Sequence, residues 1–212
     1  MRIIAGLYRS RTLAAPPGLA TRPTSDRLRE TLFNVLAPRI EGANFLDLYA
    51  GSGAVGIEAL SRGAARVEFV EREPAALSVL SANIARLGVT ALGGQAGFRI
   101  HNRSVGGFLR LLKVRMGFDI VFLDPPYDAG REYAAALGLL GGDSVGVLAS
   151  GALVIAEHRR KERLEDRYGQ LVRTRLLEQG DAALSFYAQS ASSTADSIAC
   201  SLRRRREGGQ RN

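Results

Sequence analysis

Five short apolar runs, each followed by a turn and then by a stretch of helical period, leave this chain very few architectures. Residues 45–49, 66–71, 98–101, 118–123 and 152–157 read as buried strands. Between them, segments opening near Val55, at Pro74, near Val105 and around Tyr133 read as helices. Parallel neighbours require long crossovers, so this alternation predicts a mostly parallel sheet wound in the right-handed sense. Two late runs, 172–178 and 183–188, are too close together for a crossover and predict an antiparallel edge. The expected fold is α/β, with a mostly parallel seven-stranded sheet, an antiparallel edge strand and a short N-terminal extension.

The extension begins with Arg2-Ile3-Ile4-Ala5-Gly6 and a basic stretch, and is broken at Pro16-Pro17-Gly18. Thr24 or Ser25 can cap a helix in which Leu28, Leu32, Val35 and Leu36 share a face and Pro38 ends the run. This divides the chain into an N-terminal basic arm and helix (1–38), a central domain (39–189) and a tail (190–212) whose Ser, Thr, Ala and Arg content predicts disorder. Hydrophobic residues make up 46% of the 212 residues, enough for a real core. No run reaches the length of a membrane span, and the N-terminus lacks the form of a signal peptide. The lone Cys200 excludes an internal disulfide and cysteine-ligated zinc, and no metal site is expected, which together suit the cytoplasm. A net charge of +8 suggests a polyanionic partner.

Chemistry concentrates at three strand ends. After the first strand, Leu46-Asp47-Leu48-Tyr49-Ala50-Gly51-Ser52-Gly53 forms a glycine turn that lets backbone amides approach a ligand; Gly56 only roughly fills the place of a third glycine. Glu71, at the end of the second strand, can accept hydrogen bonds from two ribose hydroxyls. Asp47 can orient the turn or reach an amino group of the cofactor through water. The fourth strand ends in Asp124-Pro125-Pro126-Tyr127, where neither proline can extend the ladder and the carboxylate is left at the C-terminal edge of the sheet.

The glycine turn and Glu71 suit a nucleotide cofactor, either a nicotinamide or S-adenosylmethionine, and the second motif favours methyl transfer. An amine on an aromatic base is a poor nucleophile because its lone pair is delocalised. Hydrogen bonds from its N–H groups to Asp124 and to the Pro125 carbonyl would localise that pair, and Tyr127 would stack on the base. What remains is the positioning of two reactants.

At these residues the chain resembles the class I S-adenosylmethionine-dependent methyltransferases, and more narrowly the RsmD family of 16S rRNA guanine-N2 methyltransferases. The resemblance rests on Arg2–Gly6, Arg9, Arg11, the segment from Arg22-Pro23-Thr24-Ser25-Asp26 to Asn34, the glycine turn, Glu58–Ala64 and Phe69-Val70-Glu71. It implies a Rossmann-like fold, S-adenosylmethionine as cofactor, and a methylated guanine (position 966) in the 16S rRNA of the small ribosomal subunit. It makes Asp47, Tyr49, Gly51, Ser52, Gly53, Glu71 and Ser104 cofactor contacts, and Asp124, Pro125, Pro126 and Tyr127 the catalytic loop. It also makes Arg9, Arg11, Arg22, Arg27 and Arg29 candidates for touching RNA or ordering the site; helical spacing alone gives these arginines only a solvated face. One departure stands out. Where many such enzymes carry an Asp after the third strand, this chain has Asn102-Arg103-Ser104, with Ser104 at the position and Asn102 as a substitute.

Two other readings share parts of this pattern. An adenine-N6 DNA methyltransferase uses the same tetrapeptide but generally carries a target-recognition domain, for which the chain has no room. A non-catalytic rRNA-binding assembly factor would keep the fold without needing Asp124 and Tyr127. No obligate protein partner is expected.

Overall fold

Alternation along the strands sorts the core into two layers, one on each face of a single sheet. The computed structural model describes residues 1–15, 25–88, 97–112, 117–126, 130–142 and 147–190. In chain order the elements are α1 (Asp26–Ile40), β1 (Asn44–Leu48), α2 (Ala54–Ser61), β2 (Arg66–Glu71), α3 (Pro74–Leu87), β3 (Gly97–Asn102), α4 (Val105–Leu111), β4 (Phe118–Leu123), α5 (Gly130–Gly141), β5 (Leu148–Arg159), β6 (Arg167–Tyr168), β7 (Leu171–Gln179) and β8 (Ala182–Gln189). The spatial order is β3-β2-β1-β4-β5-β8-β7-β6. Phe45, Ile120, Phe122 and Ile155 face the layer of α1, α2 and α3. Leu46, Leu48, Val121, Leu123 and Val154 face α4 and α5.

The first five strands pair in parallel, as expected. The far side of the sheet differs from the expectation. Eight strands form instead of seven, because the two-residue β6 pairs with β7 across a turn at Gly169, where φ is +58°. The edge strand, β6, is antiparallel to its neighbour, and β8 inserts antiparallel between β5 and β7. Burial explains the order. Residues 183–187 of β8 are all buried, as an internal strand requires, whereas β7 leaves Thr174, Arg175 and Leu176 exposed.

Local signals hold well at most helix ends. Ser25 Oγ accepts the Leu28 amide as N-cap of α1, Pro74 opens α3, and Gly88 closes it in the left-handed conformation. Pro38 does not end α1; it sits in the last turn, and the helix runs on to Ile40, whose burial anchors it. Residues 1–15 fold back as a hairpin with an Arg2–Thr12 bridge, and bury Ile3 and Leu13 in the same cluster as Phe45 and Val67. The tail assigned to 190–212 lies, from residue 191 onward, outside the described residues. Among the described residues no helix is long and apolar enough to cross a membrane.

Candidate active site

Strand register places the chemistry. Leu48 of β1 is level with Val70 of β2 and Leu123 of β4, and Leu123 is level with Ala156 of β5. The residues that come next, Tyr49, Glu71, Asp124 and Glu157, therefore meet along one C-terminal edge, the ligand edge of an open α/β sheet.

The turn after β1 is tightly held. Tyr49 adopts φ +62°, a left-handed conformation costly for a residue with a side chain, and Gly51 and Gly53 follow at +55° and +80°. Glu71 Oε2 accepts the Gly51 amide at 2.7 Å, while Oε1 accepts the amides of Arg72 and Glu73 at 2.8 and 2.9 Å. Glu71 thus ties the end of β2 to the glycine turn, and its carboxylate retains lone pairs for a ligand. Period-two alternation puts Asp47 on the Phe45 face, where it is buried and its Oδ2 accepts the Gly56 amide at 2.8 Å. Burial raises the Asp47 pKa to about 7, against the lowering effect of Gly56 and with a further push from Glu71. Of the two roles considered for Asp47, orienting the turn is the one its contacts describe. Gly56 takes the third-glycine place in full: a Cβ there would lie 2.3 Å from the Phe69 ring and 2.9 Å from Asp47 Oδ2.

Asp124 leaves β4 partly accessible, with Pro125 buried and Pro126 exposed after it. Desolvation, then Glu157, then Asp47 push its pKa well above the ordinary carboxylate range. Tyr127 lies outside the described residues. Ser104 is exposed at the N-cap of α4, its Oγ accepting the Gly107 amide, so its hydroxyl hydrogen stays available to a ligand. At Gly51 an added Cβ would meet nothing nearer than Tyr49 O at 4.0 Å, so the turn leaves open space beside its backbone. An acidic strand edge beside an open glycine turn fits a ligand that carries both a cation and ribose hydroxyls. Among the described residues no group of three His, Cys, Asp or Glu could hold a metal ion.

The arginines separate into distinct situations. Arg27, on the first turn of α1, and Arg9, on the hairpin, are exposed. Arg11 is exposed too, but donates to the Arg86 carbonyl at 3.3 Å and lies over the Tyr8 ring. Arg22 lies outside the described residues. Arg29 is fully buried and out of reach of RNA, so for it only the site-ordering role remains. Its guanidinium donates to the Arg2 carbonyl, pairs with Asp26 at 3.0 Å and lies 3.8 Å from Glu58. The reason is its place on the α1 stripe with Leu28, Leu32 and Phe33, facing a buried carboxylate that spacing within one helix cannot reveal.

Three residues that hold this region together have no role assigned from the sequence, although Glu58 and Ser61 lie in the Glu58–Ala64 segment of the family resemblance. Glu58, fully buried on α2, accepts the Ile4 and Ala5 amides at 2.8 and 3.0 Å and clamps the hairpin to the helix behind the glycine turn. Ser61 accepts the Tyr8 amide and donates to the Ala5 carbonyl. Asn83, buried on α3, donates to the Ser52 and Ala14 carbonyls at 3.0 and 3.1 Å and accepts the Ala14 amide at 2.9 Å. A polar residue on the buried stripe of α3 was the available signal for Asn83.

This sheet order, with its glycine turn and acidic ligand edge, defines a Rossmann-like methyltransferase. Residues 1–188 match the family model described as conserved hypothetical protein 95. YlbH of Bacillus subtilis, provisionally named an rRNA methyltransferase, is 36% identical over 187 residues, covering 88% of this chain and 98% of its own. Ribosomal RNA small subunit methyltransferase D of Escherichia coli is 42% identical over 157 residues, covering 74% of each chain. A solved structure of the Escherichia coli protein yhhF, described as a methyltransferase, superposes with TM-score 0.74 at 38% identity over 90% of this chain and 98% of that one. The chain belongs to this family, the RsmD family of methyltransferases.

Proposed function

We propose that the protein transfers a methyl group from S-adenosylmethionine to the exocyclic N2 of a guanine, position 966, in the 16S rRNA of the small ribosomal subunit, in the cytoplasm. The observation that carries this reading is Asp124-Pro125-Pro126 leaving β4 beside the Glu71-tied glycine turn. A fixed acceptor thus stands next to a place suited to a cationic nucleotide cofactor. The names of the relatives support the substrate class. A more distant methyltransferase of the same fold, 12% identical with TM-score 0.60, is described as a complex with SAH.

When bound, S-adenosylmethionine supplies an electrophilic methyl group on a sulfonium. Gly51, Ser52 and Gly53 would let the cofactor approach the backbone of the turn closely, Glu71 would accept from its ribose, Ser104 would take the adenine side, and Asp47 and Tyr49 hold the turn in shape. A cation beside Asp124 favours its ionised form. Asp124 and the Pro125 carbonyl then accept hydrogen bonds from the guanine amine, and Tyr127 stacks on the base. The alkylated nitrogen is strongly acidic, and Asp124, with its pKa raised by burial and neighbouring carboxylates, is a suitable group to take the shed proton. Arg9, Arg11, Arg22 and Arg27 approach the RNA phosphates.

Labelled methyl transfer to unmodified small subunits, naked 16S rRNA and duplex DNA tests this. Activity on the ribosomal substrate with methyl at guanine N2, lost by 100-fold or more in Asp124→Ala, is expected. Transfer to DNA adenine instead, or an Asp124→Ala variant as active as the parent, would overturn it.

A further inference from the structure

The loop that follows β5 is a second basic border of the same site. Ala156 is level with Leu123, so Glu157 stands beside Asp124, and the chain turns into Arg159-Arg160-Lys161-Glu162-Arg163 two residues later. The far side of this turn meets the start of α5. Glu162 Oε1 lies 3.4 Å from where a Cβ on Gly130, the first residue of α5, would sit. The turn therefore follows the strand next to Asp124 and also reaches the first residue of α5.

The turn is built stiffly. The Glu162 amide donates to the Arg159 carbonyl at 2.9 Å, and the Arg160 amide to Asp181 O at 2.8 Å. Leu164 is buried just beyond, and its carbonyl accepts from Arg173 at 3.2 Å. On this frame Arg160, Lys161 and Arg163 are exposed. Arg160 pairs with Glu178 at 3.1 Å, but both partners are solvent-exposed, so the pair is weak and can be exchanged for a phosphate. Lys161 and Arg163 take part in no ion pair among the described residues. Nearby acids reduce this charge without cancelling it: Glu162 is half-buried against Gly130, Asp166 is paired with Arg173, and Glu165 is exposed. Arg27 is also exposed, on the first turn of α1, whose Thr31 bonds Gln179 at the end of β7 at 2.9 Å.

We infer that the turn Arg160-Lys161-Glu162-Arg163 is a phosphate-binding surface that grips the RNA strand beside the strand end that carries Asp124. This rests on the reading of the protein as an RNA methyltransferase. Cations on a pre-ordered turn lose little freedom on binding, and their positive charge holds a strand at the acidic site. The contact is to backbone phosphate, so it sets affinity and not base choice.

The test is the double variant Lys161→Glu/Arg163→Glu assayed on small-subunit RNA over a salt series. KM for RNA is expected to rise roughly tenfold or more, with kcat and cofactor affinity within about twofold, and the dependence of log KM on log salt to flatten by about one unit or more. Arg39→Glu is a single charge-reversal control, to be compared with Lys161→Glu alone: Arg39 is exposed and donates to Gly151 O at 2.9 Å near the opposite end of β5, so it should leave KM for RNA unchanged. Lys161→Ala/Arg163→Ala gives an intermediate effect and serves if the reversal does not fold. An active parent whose KM and salt slope are matched by both double variants overturns the phosphate surface alone. A parent that methylates no RNA overturns the RNA reading, and this surface with it.

Discussion

The phenol of Tyr49 donates to Glu132 Oε2 at 2.7 Å, joining the strained residue before the glycine turn to the first turn of α5. Burial first, then the Glu132 hydrogen bond, push the phenol pKa upward, so Tyr49 stays a donor through the working pH range. The bond thus links the glycine turn to α5, the next helix after the Asp124-Pro125-Pro126 stretch proposed as catalytic.

Tyr49→Phe and Glu132→Gln should therefore loosen the catalytic loop more than the fold. We expect a stability loss of about 1 kcal/mol for Tyr49→Phe. For methyl transfer, kcat should fall roughly ten- to a hundredfold, with KM for the cofactor changed little. Steady-state kinetics beside urea melts checks this; a fall in stability with unchanged kcat would remove the positioning role.

Asn83→Ala strands the Ser52 carbonyl and both backbone groups of Ala14. The expected cost is on the order of 2–4 kcal/mol, with weaker cofactor binding because the glycine turn loses its outer support. Calorimetric titration with the cofactor, alongside denaturant midpoints, measures both.

Gly6→Ala and Gly42→Ala separate strain from collision. Both glycines have positive φ, +83° and +73°. A Cβ on Gly6 would fall 1.8 Å from the Ser61 carbonyl oxygen, whereas one on Gly42 would meet nothing within 4 Å. Gly42→Ala should cost about 1 kcal/mol and Gly6→Ala roughly 3 kcal/mol or more, read from urea midpoints.

Asp47 makes stability fall with rising pH. Its pKa is raised from 3.8 to about 7 by burial, so between those values the folded chain holds a proton that the unfolded chain has lost. Stability contributed by this group is present below about pH 4, declines to about pH 7 and is flat above. Asp47→Asn removes the dependence, so its stability relative to the parent should rise across that window by at most about 4 kcal/mol. Denaturant midpoints from pH 4 to 8 would show a constant difference if Asp47 does not titrate there.

Much of the frame was legible because its signals are local. The strand at 118–123 was read with the bounds it has, since Gly117 and Pro125 punctuate an unbroken apolar run. Ser25, Pro74 and Gly88 marked helix ends through their own capping and backbone preferences. Arg29 and Asn83 were not legible in this way. Their clamping partners, the Arg2 carbonyl for Arg29 and the Ala14 backbone for Asn83, lie 27 and 69 residues away in sequence, so the local pattern does not reveal what each one holds.

By itself, then, the sequence determined the strand–helix alternation, the glycine turn, the bounds of the strands at 66–71 and 118–123, and the family resemblance. These depend on hydrophobic period, backbone freedom and motif, which are properties of adjacent residues. Only the tertiary structure decided that β8 lies inside the sheet, that Arg29 is buried, that Asp47 serves Gly56, and that residues 159–163 follow the strand next to Asp124. Those outcomes depend on which distant surfaces meet, and desolvation at those meetings sets the charge and reach of each side chain.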